Sequence, residues 1–130
     1  MVPEMSESEI LIEFEFEDEL ILRGILDRVM APQIVEDIRS MLPFEGRTAL
    51  LRDEMKITLG ISRGNQKPVR DVKRGDIAYM PLGDSLCIYL SDMRTFSPVN
   101  VLGRITSPTD SLEQLRGVRR GSMVTVRLAE

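Results

Sequence analysis

Residues 73–91 read KRGDIAYMPLGDSLCIYLS, and residues 97–106 read SPVNVLGRIT. The first stretch holds two short apolar runs, 76–80 and 86–91, separated by Pro81, Leu82, Gly83 and Asp84. Proline presets a bend and glycine takes turn conformations without a steric cost, so the two runs read as paired strands. Residues 99–106 read as a third strand. This order of strands and turns decides the fold.

Outward from it, the chain continues in the same style. Between 9 and 16, Ile10, Ile12, Phe14 and Phe16 fall on one face, while Glu9, Glu13, Glu15 and Glu17 lie mostly on the other. That period of two marks a half-buried strand with a solvated acidic face rather than a metal site. Residues 17–19 turn the chain into a strand at 20–26, an antiparallel hairpin. Pro32 opens a helix to about residue 42, since proline at the first helical turn forfeits no intrahelical bond. Ile34, Ile38, Met41 and Leu42 form its apolar stripe, and Pro43 marks its end. Strands follow at 47–51 and 55–61. The segment 62–72 reads as a long irregular loop and 92–98 as a second one carrying Phe96. A short helix is predicted from Thr109 to about 116, and a last strand at 123–128.

The bulk composition narrows the function. A chain of 130 residues accommodates one domain, here 9–130 behind a polar leader at 1–8. The net charge of −4 argues against non-specific nucleic-acid binding. There is no histidine, which excludes Ser-His-Asp and Cys-His catalysis and any imidazole zinc site. The single Cys87 lies among apolar neighbours and reads as a buried, inert thiol. No apolar run approaches the ~20 residues that span a bilayer, and no signal peptide is read at the start. The expectation is a cytoplasmic domain without metal or cofactor, of unreadable oligomeric state.

Three segments carry a family resemblance. APQIVEDIRSML, residues 31–42, resembles the first helix of cyclophilins, with Pro32, Val35, Glu36, Asp37 and Ile38 matching its Pro-Lys-Thr-Ala-Glu-Asn-Phe pattern conservatively. VNVLGRITSPTDSLEQLRGV, residues 99–118, is similar to the cyclophilin strand-turn-helix, with Gly103 and Arg104 at its Gly-Lys step. The likeness is closer to small prokaryotic single-domain cyclophilin-like proteins. These carry Gly-Asp-Val/Ile-x-Tyr-Trp-Pro-Pro-Gly, an apolar strand with a cysteine, then Val-Asn-Val-Ile-Gly-Lys/Arg-Ile. Here those are Gly75 to Gly83, Leu86-Cys87-Ile88, and Val99 to Ile105, with Met80 and Leu82 as departures. The resemblance spans about residues 10–128. It implies a mostly β fold, a closed eight-stranded cyclophilin-like antiparallel β-barrel with two helices covering its ends.

It also implies a chemistry to test. Cyclophilins isomerise X-Pro bonds, against an intrinsic barrier of ~20 kcal/mol. An arginine in a Phe-His-Arg triplet and a nearby Gln-Phe-Phe segment build the pocket. The corresponding strand here, Met55-Lys56-Ile57-Thr58-Leu59-Gly60, lacks the triplet, and Leu86-Cys87-Ile88 stands near the second segment. The resemblance therefore points to a barrel that binds a peptide or protein segment without efficient isomerase activity. A divergent prolyl isomerase using Arg63, the sole catalytic candidate, is one alternative; a small-molecule-binding barrel is another. The candidate ligand-binding residues are Arg63, Asn65, Gln66, Tyr79, Met80 and Phe96. Arg63, Asn65 and Gln66 form a polar clamp or a solvated turn, and Tyr79 a pocket wall or a core side chain. Arg116, Arg119, Arg120 and Arg127 read as solvated surface, with an anion site or subunit contact as the alternative.

Overall fold

The computed structural model describes residues 8–129, so the expected leader lies outside the described residues except for Ser8. The strands are β1 (Glu9–Phe16), β2 (Ile21–Asp27), β3 (Phe44–Leu51), β4 (Glu54–Thr58) and β5 (Val69–Val72). They continue with β6 (Asp76–Met80), β7 (Ser85–Tyr89), β8 (Met93–Ile105) and β9 (Met123–Leu128). The helices are α1 (Pro32–Met41) and α2 (Thr109–Glu113). Eight strands pair in the order β2-β1-β9-β3-β4-β7-β6-β8, and β8 returns to β2 to close the barrel. All of these pairings are antiparallel. Closure removes the exposed edges that an open sheet would present. The ninth strand, β5, stays outside the circuit and pairs only with the first half of β8.

The alternation in β1 has its expected consequence: Ile10, Ile12, Phe14 and Phe16 are buried in the barrel core. The Phe14 and Phe16 rings stack with centroids 6.3 Å apart. Its acidic face is structured rather than merely solvated. Glu13 stands directly opposite Arg23 of β2 and Arg127 of β9. It bonds both, at 3.1 Å to each Nε. The arginines at 116, 119 and 127 are each engaged in ion pairs. Arg116 pairs with Asp53 and Glu113, Arg119 with Glu17, and Arg127 with Glu13 and Glu15.

The barrel seam depends on one glycine. Gly103 of β8 lies against Leu26 of β2, and a Cβ there would sit 1.7 Å from the Ile25 carbonyl oxygen. Only hydrogen fits, so this position admits no side chain. Helix α1 packs Ile34, Val35 and Ile38 into the core, with Val35 taking the place expected of Met41. The second helix is shorter than expected and passes into a 3-10 turn, Gln114–Gly117; Leu112 and Leu115 are buried.

A second, smaller core explains why β6 and β7 read as apolar on both faces. Val72, Ala78, Met80, Cys87, Tyr89 and Val99 pack together on the outside of the barrel wall, with Met93 and Val101 at the margin. The cover is β5 and the first half of β8. This corrects the two expected loops. Residues 92–98 mostly form strand, and residues 69–72 end the longer loop as β5. Thr95 and Ser97 face inward while Arg94 and Phe96 face out, the reverse of the usual polarity, so alternation concealed the strand. Pro98 is tolerated because the register shifts there, between the Val69–Val99 and Asp71–Arg94 pairs, and no ladder N–H is required of it. The strand expected at 55–61 stops at Thr58, and Gly60 takes a φ of +94°. No helix among the described residues is long and apolar enough to cross a membrane.

Candidate functional site

The irregular segment between β4 and β5 has few backbone partners of its own, yet four side chains pin it. Asp84, at the end of the turn between β6 and β7, accepts the amides of Ile61 and Ser62, each at 3.1 Å. The Tyr79 hydroxyl donates to Asp84 at 2.6 Å and accepts the Arg63 amide at 3.2 Å. Burial works against the Asp84 charge, but the Tyr79 hydroxyl and the Ser62 and Ile61 amides outweigh it and hold the carboxyl below its ordinary range. Burial, with the Asp84 bond, pushes the Tyr79 hydroxyl up to about 12.

Asn100 is the third anchor. It is fully buried, and its carboxamide is saturated. Oδ1 accepts the amides of Gln66 (2.7 Å) and Lys67 (3.0 Å), and Nδ2 donates to Asn65 Oδ1 (3.0 Å) and the Tyr79 carbonyl (3.3 Å). Gln66 is the fourth. Its Oε1 accepts the amides of Gln33 and Ile34 at the start of α1, each at 3.1 Å. The Arg63 guanidinium reaches the same helix, donating to Asp37 and to Gln33 Oε1.

The six residues singled out from sequence thus sit in three places. Arg63, Asn65 and Gln66 tie the segment to α1 and Asn100. Tyr79 and Met80 are neighbours on β6 and point to opposite sides, Tyr79 into the barrel core and Met80 into the outer one. Phe96 stands apart on β8, 89% exposed. Asn100, Asp84 and Asp37 were not among the candidate site residues. For Asn100 a signal existed: a lone carboxamide inside the apolar run VNVLG.

Two grooves open on these elements. One, about 640 Å³, is lined by Asp37, Ser40, Met41 and residues 60–63, so it lies beside Arg63. The other, about 670 Å³, runs between the β3–β4 hairpin and the first half of β8. Its lining is Leu51, Arg52, Glu54 and Lys56 on one side, and Met93, Arg94 and Phe96 on the other. Leu51 and Phe96 are both exposed large apolar side chains. Glu54 is only 8% exposed and lies 3.5 Å from Lys56 Nζ. Beneath, Lys56 opposes Cys87 and Glu54 opposes Tyr89 across the β4–β7 ladder. The Tyr89 hydroxyl is buried, with no partner at hydrogen-bond geometry among the described residues. Burial, reinforced by the Glu54 charge, pushes the Cys87 thiol up to about 12. Among the described residues no cluster of three or more potential metal ligands occurs.

Comparison with known proteins adds the following. A family model described as Cyclophilin-like matches residues 9–127. The solution structure of the hypothetical protein AF2241 from Archaeoglobus fulgidus is similar, with a TM-score of 0.78 and 29% identity, covering 96% of this chain and 100% of that one. The structure of McbB in complex with tryptophan has a TM-score of 0.71 at 13% identity, covering 90% of this chain and 44% of that one. That second likeness concerns the fold alone. No curated protein matches.

Proposed function

We propose, from the premise that the chain belongs to the cyclophilin-like family, that it is a binding barrel. It holds an extended peptide or protein segment in the groove between the β3–β4 hairpin and β8, without efficiently isomerising it. The observation that carries this reading is Phe96, 89% exposed on β8, lining the groove together with Met93 of the same strand and Leu51 of the β3–β4 hairpin. A phenylalanine left in water forgoes about 2 kcal/mol of burial, and exposed aromatics of this kind serve as contact points for partners.

The other candidate residues support this groove from behind. Arg63, Asn65, Gln66 and Tyr79 fasten the segment that leads into β5. In turn β5 backs the half of β8 that bears Phe96, and Arg70 donates to the Phe96 carbonyl at 3.1 Å. Met80 belongs to the outer core against which Met93 packs. Binding without catalysis is favoured by Lys56 and Cys87, which stand on the strands where the cyclophilin resemblance expects an arginine and a phenylalanine. A divergent isomerase using Arg63 would require that guanidinium to leave Asp37 and Gln33.

The test is a titration of isotope-labelled protein with apolar and X-Pro peptides, read by amide shifts, with exchange spectroscopy on the same proline peptides. Shifts centred on Leu51, Met93 and Phe96 that vanish in Phe96→Ala, with no added cis–trans exchange, are the expected result. Shifts centred on Ser40 and Arg63 instead, or exchange abolished by Arg63→Ala, would overturn it.

A further inference from the structure

We propose that the segment held in this groove carries an acidic side chain next to an aromatic or large aliphatic one, and that Arg52 selects it. This rests on the binding reading above and specifies its occupant. The chain as a whole has a net charge of −4, yet the groove lining carries Arg52, Lys56 and Arg94 against a single carboxylate, Glu54. Two of the three cations are engaged: Lys56 with Glu54 at 3.5 Å and Arg94 with Asp71 at 3.4 Å. Arg52 has no ion pair among the described residues, so it is the cation free to meet a partner.

The backbone around Arg52 is fixed. It holds a φ of +57° at the tip of the β3–β4 hairpin, a conformation more comfortable for glycine or asparagine. The next residue, Asp53, is held on the far side by Arg116 at 2.6 Å and Ser91 at 2.8 Å. A guanidinium presented from a fixed turn recognises a carboxylate through paired, charge-assisted hydrogen bonds. Glu54 on the floor repels an acidic group, which leaves the floor between Leu51, Met93 and Phe96 to the apolar side chain. The carboxylate then belongs at the rim, beside Arg52. An internal acidic residue of an extended partner segment meets both demands at once.

The experiment uses three peptides with blocked termini, containing Asp-Phe, Asn-Phe or Lys-Phe in a glycine frame, titrated into the intact protein by amide shift and by fluorescence anisotropy. The Asp-Phe peptide is expected to bind about tenfold more tightly than Asn-Phe, with the advantage shrinking as salt rises. Arg52→Gln and Arg52→Gly should abolish the advantage. Glycine suits the local backbone, so folding is preserved, and the retained spectrum of each variant checks it. Equal affinity for Asp-Phe and Asn-Phe, with shifts still at Phe96, would overturn the inference and leave the binding reading standing. Preference for Lys-Phe would assign selection to Glu54 and overturn it. Binding only by a peptide with a free C-terminal carboxylate would overturn the assignment to an internal acidic residue. No shift at the groove with any peptide would remove the binding reading as well.

Discussion

Gln66 Oε1 accepts the Ile34 amide at 3.1 Å, and so caps a helix whose third residue lies thirty-two residues earlier in the chain. Ala31, at the cap position, has no side chain that can accept a bond. The amide of Gln66 in turn donates to Asn100, which is buried in the barrel wall. One residue therefore joins helix, connecting segment and barrel.

Gln66→Ala should lower stability by about 1 kcal/mol, the usual cost of losing an N-cap. Hydrogen exchange should quicken at the Gln33 and Ile34 amides before it does elsewhere in α1. Gln66→Glu should restore protection, since a carboxylate is favoured at a helix N-terminus. Unchanged exchange at those two amides in Gln66→Ala would refute the cap.

Asp84 makes the connection to β5 sensitive to acid. Its folded carboxyl is held below the ordinary range, so its contribution is present above the unfolded value near pH ~4 and is lost as pH falls through the folded one. Denaturant midpoints measured downward from neutral pH should decline, and Asp84→Asn should flatten that decline. Exchange at Ile61, Ser62 and Arg63 should rise first. An acid limb identical in Asp84→Asn would show that other carboxylates dominate it.

The alkaline side reverses the sign. Tyr79 and Cys87 are each pushed up to about 12, chiefly by burial. Their neutral forms stabilise the fold below the unfolded values of about 10 and 8.5, and the contribution is lost as pH rises toward the folded ones. Phenolate absorbance should therefore be absent near pH ~10 and appear together with unfolding. Cys87 should resist thiol reagents until the protein unfolds. Phenolate absorbance or rapid labelling of the folded protein near pH ~9 would contradict this burial.

Gly103→Ala should prevent closure of the barrel or cost several kcal/mol, because the added methyl meets the Ile25 carbonyl oxygen at 1.7 Å. Gly64→Ala is the control. Nothing lies within 4 Å of its Cβ position, and the change should alter stability by no more than about 0.5 kcal/mol. Denaturation curves of the two variants decide it; a Gly103→Ala protein of unchanged midpoint would mean that the seam yields.

Much of the barrel was legible because its strands advertise themselves. The alternation of Ile10, Ile12, Phe14 and Phe16 reports a wall with one buried face, and the Pro81–Asp84 turn reports a hairpin. The first half of β8 was not legible. Its inward side chains include Thr95 and Ser97, and Thr95 donates to the Ser97 and Arg70 carbonyls across the register shift. Polar side chains turned into a small core, such as Thr95 and Ser97, look in sequence like a loop. The acidic face of β1 was half legible: the glutamates were visible, but Arg23 and Arg127 come beside Glu13 only through strand pairing.

The candidate site divides in the same way. Phe96 stood out as an aromatic in a polar stretch, and Arg63, Asn65 and Gln66 as polar residues in a long connection. Sequence alone located most of the strands, because hydrophobic period, turn chemistry and small residues are local properties, and the closed barrel followed from the resemblance to cyclophilin-like proteins. Only the tertiary structure decided where those side chains go. It turned Gln66 to the helix, Tyr79 to Asp84, and Phe96 to the far groove beside Arg52. Those placements depend on which strands lie next to one another when the barrel closes, and no local pattern carries that information.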